Sequence, residues 1–276
     1  TSPINVGSLR NNGYEVTIQS NNIQKKDFSW TTMLNFGHNH NKLTKIYGDE
    51  NQIISGVRIH KVGEPYYSFY GFEYAGVDPA TGKELFYIND GTSNARNTTT
   101  DPNKANKVII GNHETKLEGG FTNNITWKFI DFGLNFTFSL GGKAYDAASW
   151  QHDNGDYTFG GQVPAYYDVN KMWKGPGDTS ASQPVFHYGN TSQTSSRWLM
   201  PTDYLRLKSL TLGFTAPTLW VSHLGLSKAR AFFSASNLLT WKSKDLYVDP
   251  EMRVDGVCTF QTPGLRTFTF GIELGF

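Results

Sequence analysis

The chain has 276 residues and a formal net charge of +1, with no cluster of Lys and Arg, which gives no basis for a nucleic-acid partner. Aromatics make up 14% of it, glycine accounts for 28 residues and the mean hydropathy is −0.46; that profile suits strands apolar on one face and wet on the other. No apolar run approaches the roughly 18 residues of a spanning helix, and the single cysteine, Cys258, excludes an intrachain disulfide or a cysteine-based zinc site and reads as a lone loop thiol.

Thr1-Ser2-Pro3 is neither a signal peptide nor a start methionine, so the chain reads as processed or cut from something longer. The first strong strand is Tyr14 to Ser20, with Tyr14, Val16 and Ile18 on one face against Glu15, Thr17 and Gln19. A polar turn is expected over residues 21–26. The return strand sets Phe28, Trp30, Thr32, Leu34 and Phe36 against Ser29, Thr31, Asn35 and Gly37. Residues 41–116 read as one long elaborated loop. Within it Asp78-Pro79-Ala80-Thr81-Gly82 is a turn by its chemistry, and Tyr66 to Tyr74 is expected to pair with Glu84 to Ile88.

The clearest pair follows. Leu117, Gly119, Phe121, Asn123, Ile125 and Trp127 share one phase. After the tight Lys128-Phe129 connection, Ile130, Phe132, Leu134, Phe136, Phe138 and Leu140 form an unbroken apolar row. Soluble strands usually run about five or six residues, whereas a tilted strand crossing a bilayer needs about 9–11. A second long loop spans 142–202. In the strand Tyr204 to Thr215 the apolar phase slips near Lys208-Ser209, which predicts a β-bulge. Residues 216–225 read as one helical turn that starts after Pro217 and stops at Gly225. Arg230 to Trp241 and Thr267 to Phe276 are the last two strands. In the final one Phe268, Phe270, Ile272, Leu274 and Phe276 alternate to the last residue.

Connections alternate short and long, and counting parity back from Phe276 puts every short turn on one end. An outer-membrane barrel has short periplasmic turns and long extracellular loops. In a soluble β-sandwich, the competing class, connection lengths should scatter and a catalytic carboxylate pair would be expected. A purely structural adhesion barrel is a third class, distinguished by the lack of a plug partner and of nutrient dependence.

From Tyr204 onward the chain resembles the C-terminal part of SusC/RagA-like TonB-dependent outer-membrane transporters. The residues that carry the resemblance are 204–214 (YLRLKSLTLGF), 234–241 (SASNLLTW), Asp249-Pro250-Glu251 and 263–271 (PGLRTFTFG). Residues 10–15, 26–32, 69–82 and 119–124 also look like the family. The resemblance implies an all-β fold: the C-terminal portion of a large antiparallel transmembrane barrel, about 22 strands when complete, with a plugged lumen. It implies uptake of oligosaccharides, or in some members peptides, with a SusD-like surface lipoprotein as partner and energy from the TonB complex. With seven strands read here and no plug, the whole chain 1–276 is expected to be a barrel part that another polypeptide or the remaining N-terminal half completes. Membrane lipid then meets the Phe, Leu and Ile rows, Trp30, Trp127, Trp241 and Phe276 fall near strand ends as an interfacial girdle, and the Thr, Asn, Ser and Gly rows line the lumen.

Trp150, Tyr157, Tyr166, Tyr167, Trp173 and Tyr188, interleaved with Asn, Asp and Gln, are the residues expected to stack on a sugar, contact the partner lipoprotein or stabilise the loop. No catalytic group or cofactor is expected; Asp153 and Asp156 lack the pattern of a paired acid and base. His38 and His40 share a strand face without a nameable third ligand. Asp245, Asp249, Glu251 and Asp255 are either solvated carboxylates or a loop calcium site. Phe270, Ile272, Leu274 and the terminal Phe276 resemble the signal by which outer-membrane assembly machinery captures barrel proteins. Deleting Phe276 is expected to lower the amount of folded protein in the outer membrane, measured by surface labelling; undiminished labelling would remove that role.

Overall fold

Side chains alternate across a pleated backbone, so a strand with one apolar and one polar row can separate two different media. The computed structural model describes residues 7–48, 50–153, 168–185, 192–251, 255–259 and 262–276. Seven long strands form one antiparallel sheet: β1 (Gly7–Lys25), β2 (Phe28–Ile46), β3 (Leu117–Trp127), β4 (Ile130–Leu140), β5 (Tyr204–Thr215), β6 (Lys228–Lys242) and β7 (Thr267–Gly275). Their order in the sheet is their order in the chain, so each pairs only with its sequence neighbours. The sheet is open here, with β1 and β7 at its edges. Together with the all-β content this fits a barrel portion, as expected.

The register aligns the apolar rows across all the strands. Ile18, Leu34, Phe121, Phe136, Leu207 and Leu239 lie side by side, as do Trp30, Ile125, Phe132, Leu212, Phe233 and Phe270. The opposite face carries Thr17, Asn35, Gly120, Thr137, Arg206 and Thr240 in the same manner. The main sheet's strands contact one another and no second sheet of the described residues covers the apolar face. Phe270 is 79% exposed and Phe276 94%. Asn123 and its cross-strand partner Thr32 interrupt the apolar face. Asn123 Oδ1 accepts from Trp30 Nε1 at 2.9 Å and from Thr32 Oγ1 at 2.8 Å, so the amide oxygen is satisfied within the sheet.

The short connections lie at one end. β1 turns at Lys26-Asp27 rather than over residues 21–26: the polar stretch continues as strand, with a bulge between Asn21 and Ile23. Asn, Gln and Lys look like turn chemistry, but the pairing to Phe28, Ser29 and Trp30 overrides it. β3 and β4 meet at Lys128-Phe129, with Lys128 at φ 51°, and the Lys128 amide donates to the Asp27 carbonyl at 2.8 Å. The bulge expected near Lys208 is present against β4. Against β6 the slip is absorbed by Asn237, which adopts φ 54°, a conformation Asn tolerates. This places Tyr204 and Arg206 together on the polar face.

The long connections lie at the other end, and the hydrophobic core is there. β2 runs on to Ile46, so the long loop starts later than residue 41. Ser68–Gly71 pairs with Arg58–Lys61 and Val108–Asn112, whereas Glu84–Tyr87 pairs with Tyr74–Val77. The expected pairing of Tyr66–Tyr74 with Glu84–Ile88 therefore holds only at its Tyr74 end. Phe69 from the first loop packs with Tyr145, Ala147 and Trp198 of the second and Val257 of the third. Cys258 is buried in an adjoining cluster with Ala144, Met200 and Leu246, so the lone loop thiol is part of the core.

The two faces carry a sharp expectation. Leu134→Arg, mid-strand on the apolar face, is expected to cost about 2–4 kcal/mol of barrel stability, whereas the neighbouring Asn135→Arg on the polar face costs much less. Urea titration of the folded band in detergent or vesicles measures the difference.

Candidate functional site

A polar sheet face gains chemistry where loops fold over it and charges are drawn out of bulk water. At the long-loop end a cavity of about 360 Å³ opens above the polar face. Its walls include Asn39 and Asn41 of β2, Glu118 of β3, Tyr204 of β5, and Glu114 and Glu251 from the loops. Glu114 is fixed by His40 Nδ1 at 2.8 Å and by the Asn41 amide. Glu118 is exposed into the opening.

Arg206 forms the base of the neighbouring wall and is 5% exposed in its side chain. A buried charge near the loop end of a leucine-rich strand needs partners, and the third loop supplies them. Nη2 lies 2.7 Å from Asp249 Oδ1, Nη1 lies 2.5 Å from Glu251 Oε2, and Nε donates to Thr240 Oγ1 at 3.0 Å. Lys208 Nζ is 2.7 Å from Glu251, whose Oε1 also accepts from Tyr204 and Thr137 at 3.2 Å. Pro250 sits between the two carboxylates, and the Glu251 amide donates back to Asp249 Oδ1 at 3.0 Å. The motif Asp249-Pro250-Glu251 thus grips the strand motif that begins at Tyr204. Burial alone would push the Asp249 carboxyl up. The Glu251 amide and the Arg206 guanidinium outweigh it and hold that carboxyl below the usual range. Glu251 behaves likewise, through Lys208 and Arg206.

Asp249 and Glu251 face two cations and Asp255 lies 2.9 Å from Arg58, so three of the four carboxylates considered are neutralised by the protein itself. His38 Nδ1 turns to the Thr115 carbonyl at 3.0 Å while His40 turns to Glu114. Among the described residues no group of three or more His, Cys, Asp or Glu is placed to hold a metal.

A second charged pair lies on the polar face toward the short-turn end. Arg230 grips Asp131 through both guanidinium nitrogens and donates to Thr215 Oγ1 at 3.1 Å. Gly213 makes room for it: a Cβ there would stand 2.3 Å from Arg230 Nη2 and 2.5 Å from Asp131 Oδ1.

Of the six aromatics expected to meet ligand or partner, the described two pack within the loops. Trp150 lies against the Phe69 and Tyr145 cluster and its Nε1 donates to the Ser192 carbonyl at 3.0 Å. Trp173 donates to the Pro79 carbonyl at 2.9 Å and its ring fills the space beside Gly82, where a Cβ would stand 2.6 Å away. Tyr157, Tyr166, Tyr167 and Tyr188 lie outside the described residues. Phe270, Ile272 and Leu274 are together on the outward face of β7, and the exposed Phe276 directly follows the strand. Sequence reasoning passed over Glu114, Glu118 and Arg206; the available signal was a basic residue in the polar phase of an otherwise leucine-rich strand.

No family model matches the sequence. The chain is 30% identical over 307 residues to TonB-dependent receptor P3 of Formosa agariphila, covering 99% of this chain and 29% of that protein. It is 25% identical over 291 residues to TonB-dependent receptor SusC of Bacteroides thetaiotaomicron, covering 99% and 27%. The fold matches the structure of the RagAB peptide transporter with a TM-score of 0.82 at 26% identity, covering 99% of this chain and 30% of that one. It matches the RagAB peptide importer in its open-open state at 0.80 and 25% identity, covering 98% and 29%. The chain spans under a third of the length of the relatives it matches.

The ion cluster predicts a pH response of the third loop. Because the folded pKa values of Asp249 and Glu251 are depressed, their contribution is complete above the unfolded carboxylate range and is lost as pH falls through the folded values. Limited proteolysis within 243–266 is therefore expected to accelerate on acidification. Arg206→Met, which leaves the carboxylates partly buried and under-paired, is expected to cost about 3–5 kcal/mol and to open the loop already at neutral pH.

Proposed function

Because the chain belongs to the SusC/RagA-like TonB-dependent outer-membrane proteins and forms part of their β-barrel wall, we propose that the protein carrying it imports a large nutrient across the outer membrane. The observation that carries this reading is the two-faced sheet, with an apolar face for lipid and a polar face whose mouth is charged and folded over by loops. A SusD-like lipoprotein would meet the extracellular loop layer, and the TonB complex would supply the energy through parts of the protein outside this chain. The lumen residues hold and orient a solute.

Between the two nutrient classes the geometry favours peptides. The mouth cavity presents the exposed Glu118, which shares its lining with Tyr204, and an exposed carboxylate at that position is complementary to amines. The RagAB peptide transporter shares the fold. Oligosaccharide uptake is the second reading, and it rests on the aromatic and amide-rich stretch that contains Tyr157, Tyr166, Tyr167 and Tyr188. The described tryptophans add nothing to it, since both are packed into the loops.

Uptake of fluorescent peptides and oligosaccharides by cells bearing the whole protein tests both. Import that survives loss of TonB coupling would overturn the transport reading. Glu118→Gln is expected to lower uptake of lysine-containing peptides by about tenfold, the effect of losing one charge-assisted contact, and to leave neutral cargo unchanged. Uptake of oligosaccharides alone would reverse the choice of nutrient.

A further inference from the structure

The connection between β5 and β6 is unlike the tight turns beside it. Thr218–Val221 is one α-helical turn, Ser222–Leu224 continues as a 3-10 turn, and Gly225 closes it at φ 73°. Val221 is buried. Leu219, Trp220 and Leu224 are exposed by 80%, 63% and 75%. Single exposed apolar residues are ordinary, but three on one short segment form a patch that calls for an occupant.

The surroundings identify that occupant. The Trp220 ring centre lies 6.5 Å from that of Phe214 and 6.0 Å from that of Phe129. Phe214 belongs to the outward row, between Ile130 and Ala231. The patch is therefore an extension of the lipid-facing wall past the ends of the strands. Directly adjoining it, the small side chain of Ala231 leaves an outward groove of about 340 Å³ bordered by Ile130, Leu212, Phe214, Phe233 and Phe270. The same rim carries exposed Lys25, Lys26 and Lys128 in the neighbouring turns.

We propose that the helical turn 217–225 is an interfacial anchor that inserts Leu219, Trp220 and Leu224 among the inner-leaflet phospholipids of the outer membrane. An acyl chain lies in the groove over Ala231. The rim lysines meet the phosphate layer, where each basic side chain is attracted to anionic headgroups. A tryptophan at the boundary of wall and water suits this position, because its ring is apolar and its N–H stays near the headgroups. The turn would fix how deep the barrel sits. The proposal rests on the outer-membrane location and is independent of what the protein imports.

The test uses the whole outer-membrane protein in vesicles of phosphatidylethanolamine and phosphatidylglycerol. Leu219→Cys and Leu224→Cys carry an environment-sensitive fluorophore, and Ser93→Cys in a long loop serves as the aqueous control. Cys258 is buried and stays in place, so labelled unsubstituted protein gives the background. Lipids with a nitroxide near the headgroup are expected to quench the labels at 219 and 224 several-fold more than the label at 93, with iodide showing the reverse order. Equal iodide quenching at all three sites, or shielding that appears only when a periplasmic protein is added, would overturn the proposal. Should either cysteine variant fail to fold, Trp220→Phe gives a second readout: it is expected to remove a share of the tryptophan emission that brominated phospholipid quenches, and an unchanged share sinks the idea.

Discussion

Hydrocarbon offers a peptide group nothing to bond with, and that single constraint organises the chain. Every N–H and C=O at membrane depth must find its partner in the next strand. The seven strands meet this demand in the simplest way, each paired to the strand before and after it in sequence. Turns can then be short on one end, and all elaboration collects on the other. Even the polar Asn123 on the outer face obeys the rule, because Trp30 and Thr32 donate to it within the sheet.

The usual inside and outside of a protein are consequently exchanged. The long strands contribute few fully buried apolar side chains, while Phe69, Tyr145, Trp198, Met200 and Leu246 in the loops are buried as in a soluble domain. Two arginines on the lumen face are matched. Arg206 meets Asp249 and Glu251, and Arg230 meets Asp131. Ion pairs so placed define geometry more than they add net stability, since withdrawing both partners from water offsets much of their attraction. Their value here is directional: Arg206 fixes where the third loop crosses the opening.

The strands were legible in the sequence wherever their two faces meet different media. β4 and β7 alternate without error because one face is in lipid and the other wet, and β3 departs from the pattern at Asn123. The alternation fades over residues 21–25 and 41–46, where β1 and β2 approach the rim or rise past the loops and both faces see water or protein. Those stretches were read as turn and loop. The short strands inside the loops, four or five residues each, are held by tertiary pairing and carry little signal of their own. The grip of Asp249 and Glu251 on Arg206 joins segments 43 and 45 residues apart, so no local pattern announces it. Trp150 and Trp173 show the remaining difficulty: an aromatic among polar residues has the same sequence signature whether its face meets a sugar or a neighbouring loop.

The core shared by the three long loops has a consequence for how such proteins diversify. Phe69, Tyr145, Trp198 and Val257 come from three separate connections, yet they fill one another's space. Close packing makes such positions interdependent, so substitutions there do not add independently. A loop exchanged alone between relatives would bring half of a jigsaw to the other half of a different one. Variation at the cell surface must then travel as a set, with all three connections changing together, or be confined to the outermost residues that the shared core does not reach.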